Sequence, residues 1–199
     1  TVDAGYVLGK TKRLQGSKLL FEAPTVGGTE NVMMAATLAI GETVIENAAK
    51  EPEIVDLANY LNKMGAQIEG AGTSILKIKG VERLRAAEHH VIPDRIEAGT
   101  LLIAGAITGG EVTVTDCQPE DLDALIAKMR ESGFKITTEG RSMTVHACST
   151  WKGVDITTSP HPAFPTDLQA QFMALMTQAT GTSVITETVF ENRFMHVQE

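Results

Sequence analysis

Three acidic residues follow prolines at similar places in this sequence: Glu30, Glu97 and Asp167. Asp167 lies between Pro165 and an apolar stretch that is typical of a buried helix. A carboxylate at such a position has two uses. It can take a proton from an attacking hydroxyl group, or it can cap the helix by accepting hydrogen bonds from free backbone amides. The residues alone leave both roles open, and one side chain can serve both.

A second candidate site is the turn Thr25-Val26-Gly27-Gly28, which leads into a predicted helix. Exposed amides and the dipole at a helix N-terminus favour anions, and glycines allow a ligand to approach the backbone closely. The alternative interpretation is a tight strand-to-helix turn with no ligand.

Two residues near the end of the chain are further candidates. Arg193 is planar and permanently charged, so it can bind phosphate or carboxylate, or it can pair with Glu191 or Glu187. Val189 is a candidate for contact with a ligand, while its alternation with Phe190 also suits an ordinary strand end.

Cysteine and histidine residues form no recognisable metal-binding pattern. Cys117 and Cys148 are too few for a disulfide framework, and neither has a second cysteine at zinc-site spacing, so we expect reduced thiols. His89 and His90 have no second pair of ligands, and we expect them to end a strand. The sequence therefore suggests no metal and no organic cofactor.

The composition narrows the class of protein. The 199 residues are 43% hydrophobic and 21% charged, which is typical of a globular chain with one large or two small cores. The net charge of −8 argues against a nucleic-acid surface. The longest apolar helical stretch, residues 32–40, is shorter than the ~20 residues that cross a bilayer, and no signal sequence is visible. We therefore expect a cytoplasmic protein.

The elements that position these candidates repeat along the chain. Strand-like runs end at Pro24, Pro93 and Pro160, which are 69 and 67 residues apart. After each proline the pattern predicts a polar turn with an acid, an apolar helix and a strand opened by glycine. The first two copies add a second helix and a β-hairpin, so each unit is β-α-β-α-β-β. The third copy stops at Glu199, and residues 5–9 look like the last strand of an earlier copy, so we expect an internal piece of a longer protein.

The periodicity assigns each predicted helix a place. The first helix of the first copy, residues 31–39, is apolar nearly all round, which predicts burial on most sides. Its counterparts are residues 101–107 and 168–176. The second helices are amphipathic, with Ile54 and Leu125 facing inward, and each is followed by glycine, Gly65 or Gly133. We expect an α/β fold of mixed sheets with helices on one face.

Five segments together resemble the enolpyruvyl transferases, and in particular the branch that acts on UDP-N-acetylglucosamine. They include Pro-Thr-Val-Gly-Gly-Thr-Glu-Asn and Pro-His-Pro-Ala-Phe-Pro-Thr-Asp, and they cover residues 24–31, 45–56, 93–100, 160–167 and 187–194. The resemblance spans essentially the whole chain. It implies two domains of the inside-out α/β barrel type, each of three units. Residues 1–91 would close one domain and residues 92–199 would open the other.

The resemblance also implies the reaction, which transfers the enolpyruvyl group of phosphoenolpyruvate to the 3-hydroxyl of UDP-N-acetylglucosamine and is the first committed step of peptidoglycan synthesis. It makes Asp167 the base that takes the proton of the acceptor hydroxyl. The residues at positions that match nucleotide-sugar contacts in the family are Thr25, Val26, Gly27, Val189 and Arg193. Those at a possible hinge or cleft are Glu51, Asp94, Arg95 and Glu97.

Other functions stay open at this stage. One is the sister reaction on shikimate 3-phosphate, and another is a non-catalytic UDP-sugar-binding or scaffold module of the same fold. A nucleic-acid end-processing enzyme is disfavoured by the acidic balance. The family's donor-side loop would precede this chain, so we expect the isolated 199 residues to be inactive. We also expect self-association through surfaces that neighbouring units would cover.

Overall fold

The computed structural model describes residues 2–3 and 6–198. The chain divides into two compact units, residues 1–91 and 92–199. That these units belong to two larger barrel domains stays a prediction. The predicted strand at residues 5–9 lies partly outside the described residues, because Gly5 is not among them. The described residues there form β1 (Val2–Asp3) and β2 (Tyr6–Val7), which pair antiparallel.

The first unit contains the predicted β-α-β-α-β-β order. Its elements are β3 (Lys18–Leu20), α1 (Val26–Ala36), β4 (Glu42–Glu46), α2 (Pro52–Lys63), β5 (Gln67–Glu69) and β6 (Ile75–Lys79). The sheet has the order β3-β4-β6-β5, in which β3 and β4 are parallel and the other pairs are antiparallel. The predicted mixed sheet is therefore confirmed, although the described residues close no barrel.

The second unit repeats the pattern from the first helix onward, since none of its described residues forms a strand before that helix, and it then begins a further copy. Its elements are α3 (Arg95–Ile107), β7 (Val112–Val114), α4 (Asp123–Ser132), β8 (Ile136–Glu139), β9 (Ser142–Val145), β10 (Ile156–Thr157), α5 (Gln169–Met176) and β11 (Ile185–Thr186). One sheet is antiparallel with the order β7-β9-β8, and β10 pairs parallel with β11. None of the described helices is long and apolar enough to span a membrane.

The second helices follow the predicted amphipathic pattern. Ile54 in α2 and Leu125 in α4 are fully buried, each in the core of its own unit. Gly65 and Gly133 follow the last helical turns with φ of 102° and 117°, the left-handed conformation that glycine adopts without steric cost.

The first helices begin earlier than predicted. The helix α1 starts at Val26 instead of residue 31, and α3 starts at Arg95 instead of residue 101. Glu30 and Glu97 therefore lie inside helices and not in polar turns. The physical reason is capping: the side chains of Thr25 and Asp94 accept hydrogen bonds from the amides that open these helices.

The strand predicted before Pro93 is wrong, because residues 80–94 contain no strand. His89 packs on α2 instead. Its Nε2 lies 2.8 Å from Asp56 Oδ1, its Nδ1 lies 3.3 Å from Lys63 Nζ, and its ring lies 5.1 Å from that of Tyr60. These side-chain contacts fix the segment without a ladder of backbone hydrogen bonds. The prediction that His89 and His90 end a strand fails for the same reason.

The prediction that α1 is buried on most sides is also wrong. Only Thr29, Met33 and Ala36 are buried in α1, while Met34 is 44% exposed. By contrast, α3 buries seven residues, since it packs against α5, the first helix of the following repeat. Among the described residues, α1 packs on α2 and on its own sheet. The first helix of a repeat is thus buried where the first helix of another repeat packs against it, as α5 does against α3.

Candidate functional site

Asp167 lies in a 3₁₀ turn, Thr166–Leu168, that leads directly into α5. Its Oδ1 accepts a hydrogen bond from Arg193 Nη2 at 2.7 Å, and about half of the Asp167 side chain is exposed. The N-cap positions of the turn and of α5 are Pro165 and Leu168, and none of the described backbone amides donates to the Asp167 side chain. The capping alternative for Asp167 is therefore not realised. Arg193 pairs with Asp167 and not with Glu191 or Glu187.

Arg193 is held from a second side by an aromatic ring. Its Cζ lies 5.2 Å from the centroid of Phe190, within the range of a cation–π interaction. The guanidinium thus lies between a ring and a carboxylate. The bond to Arg193 uses Oδ1 of Asp167, and the second carboxylate oxygen carries lone pairs that can accept a proton.

Glu187 anchors the segment that carries Arg193, and the sequence analysis gave it no site role of its own. Its Oε1 accepts hydrogen bonds from Thr158 Oγ1 at 2.8 Å, from the Val189 amide at 2.8 Å and from the Phe190 amide at 3.1 Å. Its Oε2 accepts from Thr166 Oγ1 at 2.8 Å. Burial raises the pKa of Glu187, but these hydrogen bonds outweigh burial and hold the pKa below its usual value.

Thr158 joins the same network from the end of β10. It is fully buried, and its Oγ1 accepts a hydrogen bond from the Thr188 amide at 3.0 Å. The Thr188 hydroxyl in turn donates to the Thr158 carbonyl. Hydrogen bonds therefore continue to join the two chain segments after β10 and β11 have ended. Strand periodicity carries no signal for such bonds, since they join side chains to irregular backbone.

In the first unit, the turn before α1 is built by local hydrogen bonds. Thr25 Oγ1 accepts from the Gly28 amide at 3.2 Å, and the Thr25 carbonyl accepts from the amide and the hydroxyl of Thr29. Thr29 Oγ1 accepts from the Ala49 amide at 3.0 Å. A Cβ on Gly28 would lie 2.4 Å from Thr25 Cγ2, so the cap requires glycine there.

Gly27 differs from Gly28 because a Cβ on it would meet no atom within 4 Å. Packing among the described residues therefore does not explain the glycine. Thr25, Val26 and Gly27 are all exposed. These three lie next to one another in the first unit. In the second unit the structure joins Asp167 to Arg193, while Val189 donates its amide to Glu187.

The four residues predicted at a hinge or cleft occupy helix starts. Glu51 precedes α2 and makes no side-chain capping bond. Asp94 caps α3, because its Oδ1 accepts from the amides of Ile96 and Glu97 at 2.8 and 3.1 Å. Arg95 is 8% exposed at the first position of α3, whereas the side chain of Glu97 is exposed. Asp94 thus has a structural role that its sequence position alone left open.

No three His, Cys, Asp or Glu side chains cluster as a metal site within residues 2–3 and 6–198. Both cysteines are free thiols. Cys117 is buried, and this burial raises the pKa of its thiol above the usual value. Cys148 is half-buried, and its Sγ donates to the Thr150 carbonyl at 3.0 Å.

Comparison with known proteins identifies relatives along the whole chain. The family model of EPSP synthase (3-phosphoshikimate 1-carboxyvinyltransferase) matches residues 4–199. The protein named UDP-N-acetylglucosamine 1-carboxyvinyltransferase from Bdellovibrio bacteriovorus is 70% identical over 199 residues, and its namesake from Koribacter versatilis is 57% identical. This chain covers 48% and 46% of those two proteins, so it spans about half the length of the curated relatives it matches.

Two solved structures share the fold. The enolpyruvyl transferase NikO from Streptomyces tendae matches 86% of this chain, and 41% of its own chain, with a TM-score of 0.76 at 24% identity. The EPSP synthase from Acinetobacter baumannii matches 87% of this chain, and 40% of its own, with a TM-score of 0.62 at 20% identity. At these identities the likeness concerns the fold alone.

Proposed function

The chain belongs to the EPSP synthase family, and we propose that the protein containing it transfers the enolpyruvyl group of phosphoenolpyruvate to the 3-hydroxyl of UDP-N-acetylglucosamine. The relatives that are 57–70% identical over 199 residues are named for carboxyvinyl transfer to this sugar nucleotide, which supports the choice of acceptor. The reaction would belong to peptidoglycan synthesis. The proposal concerns the whole protein, since the chain spans about half the length of these relatives.

Asp167 is the proposed base. A sugar hydroxyl is a poor nucleophile at neutral pH, so a carboxylate that takes its proton during attack lowers the barrier. The hydroxyl oxygen forms a bond to C2 of phosphoenolpyruvate as its proton moves to Asp167, and the electron pair of the C2–C3 double bond takes up a proton at C3. The bond from C2 to the phosphate oxygen then breaks as C3 gives up a proton, which re-forms the double bond. Phosphate leaves, and the enol ether stays on the sugar.

The observation that carries this assignment is the half-exposed pair of Asp167 and Arg193, 2.7 Å apart. Oδ1 of Asp167 accepts the hydrogen bond from Arg193, which fixes the carboxylate and leaves its second oxygen to accept the hydroxyl proton. Arg193 has further N–H donors, which can bind a phosphate or carboxylate of the substrates. Val189 would border the nucleotide sugar from the same segment.

The turn Thr25-Val26-Gly27 is the proposed nucleotide contact of the first unit. Its exposure at the start of α1 and the open space around Gly27 support an anionic ligand close to the backbone. Asp94, Arg95 and Glu97 at the start of α3 stay proposed as hinge residues of the whole protein, and Glu51 at the start of α2 stays proposed as a cleft residue.

Three further expectations stay predictions. The protein is expected in the cytoplasm. The isolated 199-residue chain is expected to lack turnover. Self-association is expected through the apolar residues that α1 exposes, such as Val26 and Met34. A clean monomer by light scattering at high concentration would contradict the last of these.

The experiment is phosphate release from phosphoenolpyruvate by the protein at its natural length, with UDP-N-acetylglucosamine or shikimate 3-phosphate as acceptor. We expect turnover with the UDP-sugar. Turnover with shikimate 3-phosphate alone would assign the protein to the sister reaction. Tight binding of UDP-N-acetylglucosamine without turnover would favour a binding module instead.

A further inference from the structure

We propose that Glu187 is a positioning residue that holds Asp167 and Arg193 at the separation the reaction needs. This inference rests on the proposed function, in which Asp167 is the base. Glu187 itself contacts neither Asp167 nor Arg193. It acts through the two chain segments that carry them, and its two carboxylate oxygens bond to different segments.

The first segment is the 3₁₀ turn that carries Asp167. Thr166, the residue before Asp167, donates its hydroxyl to Glu187 Oε2 at 2.8 Å. Leu168, the residue after Asp167, is fully buried. The backbone of Asp167 is therefore fixed on both sides, by a hydrogen bond on one and by packing on the other. This matters because the position of a half-exposed side chain is set mainly by its backbone.

The second segment leads to Arg193. The amides of Val189 and Phe190 donate to Glu187 Oε1 at 2.8 and 3.1 Å, and the Phe190 ring lies 5.2 Å from the guanidinium of Arg193. Thr158 also donates to Oε1, at 2.8 Å, and ties the carboxylate to the end of β10. Three of the four hydrogen bonds thus hold Glu187 to the end of β10 and to the segment that leads to Arg193. The fourth holds it to the 3₁₀ turn that carries Asp167.

A carboxylate is suited to this place because both of its oxygens accept hydrogen bonds. The amide of glutamine offers one acceptor oxygen and one donor nitrogen. A glutamine at position 187 can still face the two backbone amides with its oxygen, since those amides can only donate. Its nitrogen would then face Thr166, whose hydroxyl can rotate and accept. Glu187→Gln therefore keeps the geometry while removing the charge, whereas Glu187→Ala removes both.

The test compares Glu187→Ala and Glu187→Gln in the protein at its natural length. We expect Glu187→Ala to lower kcat by about 10- to 100-fold, the cost of small misplacements of reacting groups. We expect Glu187→Gln to recover most of that loss. The matched control is Ser132→Ala, which removes a buried hydroxyl that donates to the Lys152 carbonyl and lowers stability in the same unit away from the site. All variants are assayed below their unfolding temperatures.

A purely structural role would give a different result. Glu187→Ala would then lower the unfolding temperature as Ser132→Ala does, and kcat for the folded protein would stay near that of the wild type. That result would overturn the inference. Equal losses in kcat for Glu187→Ala and Glu187→Gln would overturn it as well, because the charge and not the geometry would then be responsible.

A crystal structure of Glu187→Ala separates this inference from the proposed function. We expect Asp167 Oδ1 and Arg193 Nη2 to lie beyond hydrogen-bond distance in the variant, against 2.7 Å in this chain. Retention of that bond would overturn the inference. Absence of turnover in the wild type would refute the proposed function, while the distance in the variant would still decide the role of Glu187.

Discussion

Asp94 and Asp167 each lie in a turn that leads into the first helix of a repeat, yet their carboxylates bond to different groups. Asp94 accepts hydrogen bonds from two amides of α3, those of Ile96 and Glu97. Asp167 accepts a hydrogen bond from Arg193, which lies 26 residues further along the chain. The helix α3 is therefore capped by its own aspartate, whereas α5 begins without a side-chain cap.

The difference shows that an acid in the turn before a first helix can serve either structure or chemistry. The lone pairs of Asp94 are directed at backbone donors of its own helix. Those of Asp167 are directed at an exposed cation, next to which a substrate can bind. Thr25 resembles Asp94, because its hydroxyl caps α1. Of the two turns that carry an aspartate, the one before α5 is thus the one whose carboxylate is not used by the helix that follows it.

The largest effect is expected from Asp167→Asn. An amide cannot take the hydroxyl proton, so kcat should fall by ~10²- to 10⁴-fold, the usual contribution of a general base. Stability should change little, because no helix amide loses a partner. The assay is phosphate release by the protein at its natural length.

Asp94→Asn is the matched control, since asparagine caps helices as well as aspartate does. It makes the same chemical change at the structural turn, and we expect a far smaller loss of turnover than in Asp167→Asn. If both variants lost activity to the same extent, the contrast between the two turns would be wrong.

A smaller effect is expected from Arg193→Lys. Lysine keeps the positive charge but loses the planar group that contacts both Asp167 and the Phe190 ring. We expect kcat/KM to fall by about 10- to 100-fold through misplacement of the base. Arg130→Lys is the control, because Arg130 donates to the Ile136 carbonyl in the same unit without touching the site. Unchanged kinetics in Arg193→Lys would mean that charge alone supports Asp167.

Gly99→Ala tests the packing of α3, the helix that Asp94 caps, against Leu168, the residue after Asp167. A Cβ on Gly99 in α3 would lie 2.8 Å from Leu168 Cδ1 and 3.0 Å from Leu125 Cδ2. Overpacking of this kind costs about 1–3 kcal/mol, so calorimetry should show a lower unfolding temperature. Because Leu168 follows Asp167, kcat should fall as well. Wild-type stability in this variant would show that the core accommodates the added methyl group without moving the turn that carries Asp167.

The smallest effect is expected from Gly27→Ala at the turn before α1. The new methyl group meets no atom of the described chain within 4 Å, and alanine favours helix by up to about 1 kcal/mol over glycine. Stability should therefore rise slightly. Affinity for UDP-N-acetylglucosamine, measured calorimetrically in the protein at its natural length, should fall if the nucleotide approaches this backbone. Unchanged affinity would remove Gly27 from the proposed site.

Much of the fold could be predicted because it depends on local patterns. The turn at Gly140 joins β8 and β9 with φ of 55°, and a glycine in a short connection between two strand-like runs predicts such a hairpin. The helices α2 and α4 follow from the spacing of their apolar residues. Both kinds of signal lie within a few residues of the structure that they specify.

The errors concern features that depend on distant residues. The segment before Pro93 has strand-like composition, but contacts between His89 and α2 hold it in an irregular conformation. The exposure of α1 depends on which helices pack against it, and no local pattern carries that information. The predicted starts of α1 and α3 were too late, because the helical apolar pattern does not show the caps at Thr25 and Asp94.

The candidate site could be predicted as a set of residues but not as an arrangement. Residue type and spacing indicate Asp167, the resemblance assigns roles to Asp167, Val189 and Arg193, and the sequence leaves the partner of Arg193 open. Glu187 was not chosen as a site residue, because its role depends on four donors from three segments of chain. A glutamate directly after a short strand carries no local signal of that kind.

The most direct test of the contrast between Asp94 and Asp167 is a crystal structure of the protein at its natural length with UDP-N-acetylglucosamine bound. We predict that an Asp167 carboxylate oxygen lies within about 2.6–3.2 Å of the sugar 3-hydroxyl, the reach of a general base. Asp94 should still cap α3. A structure in which Asp167 turns to cap α5, or in which the 3-hydroxyl lies out of its reach, would contradict this account.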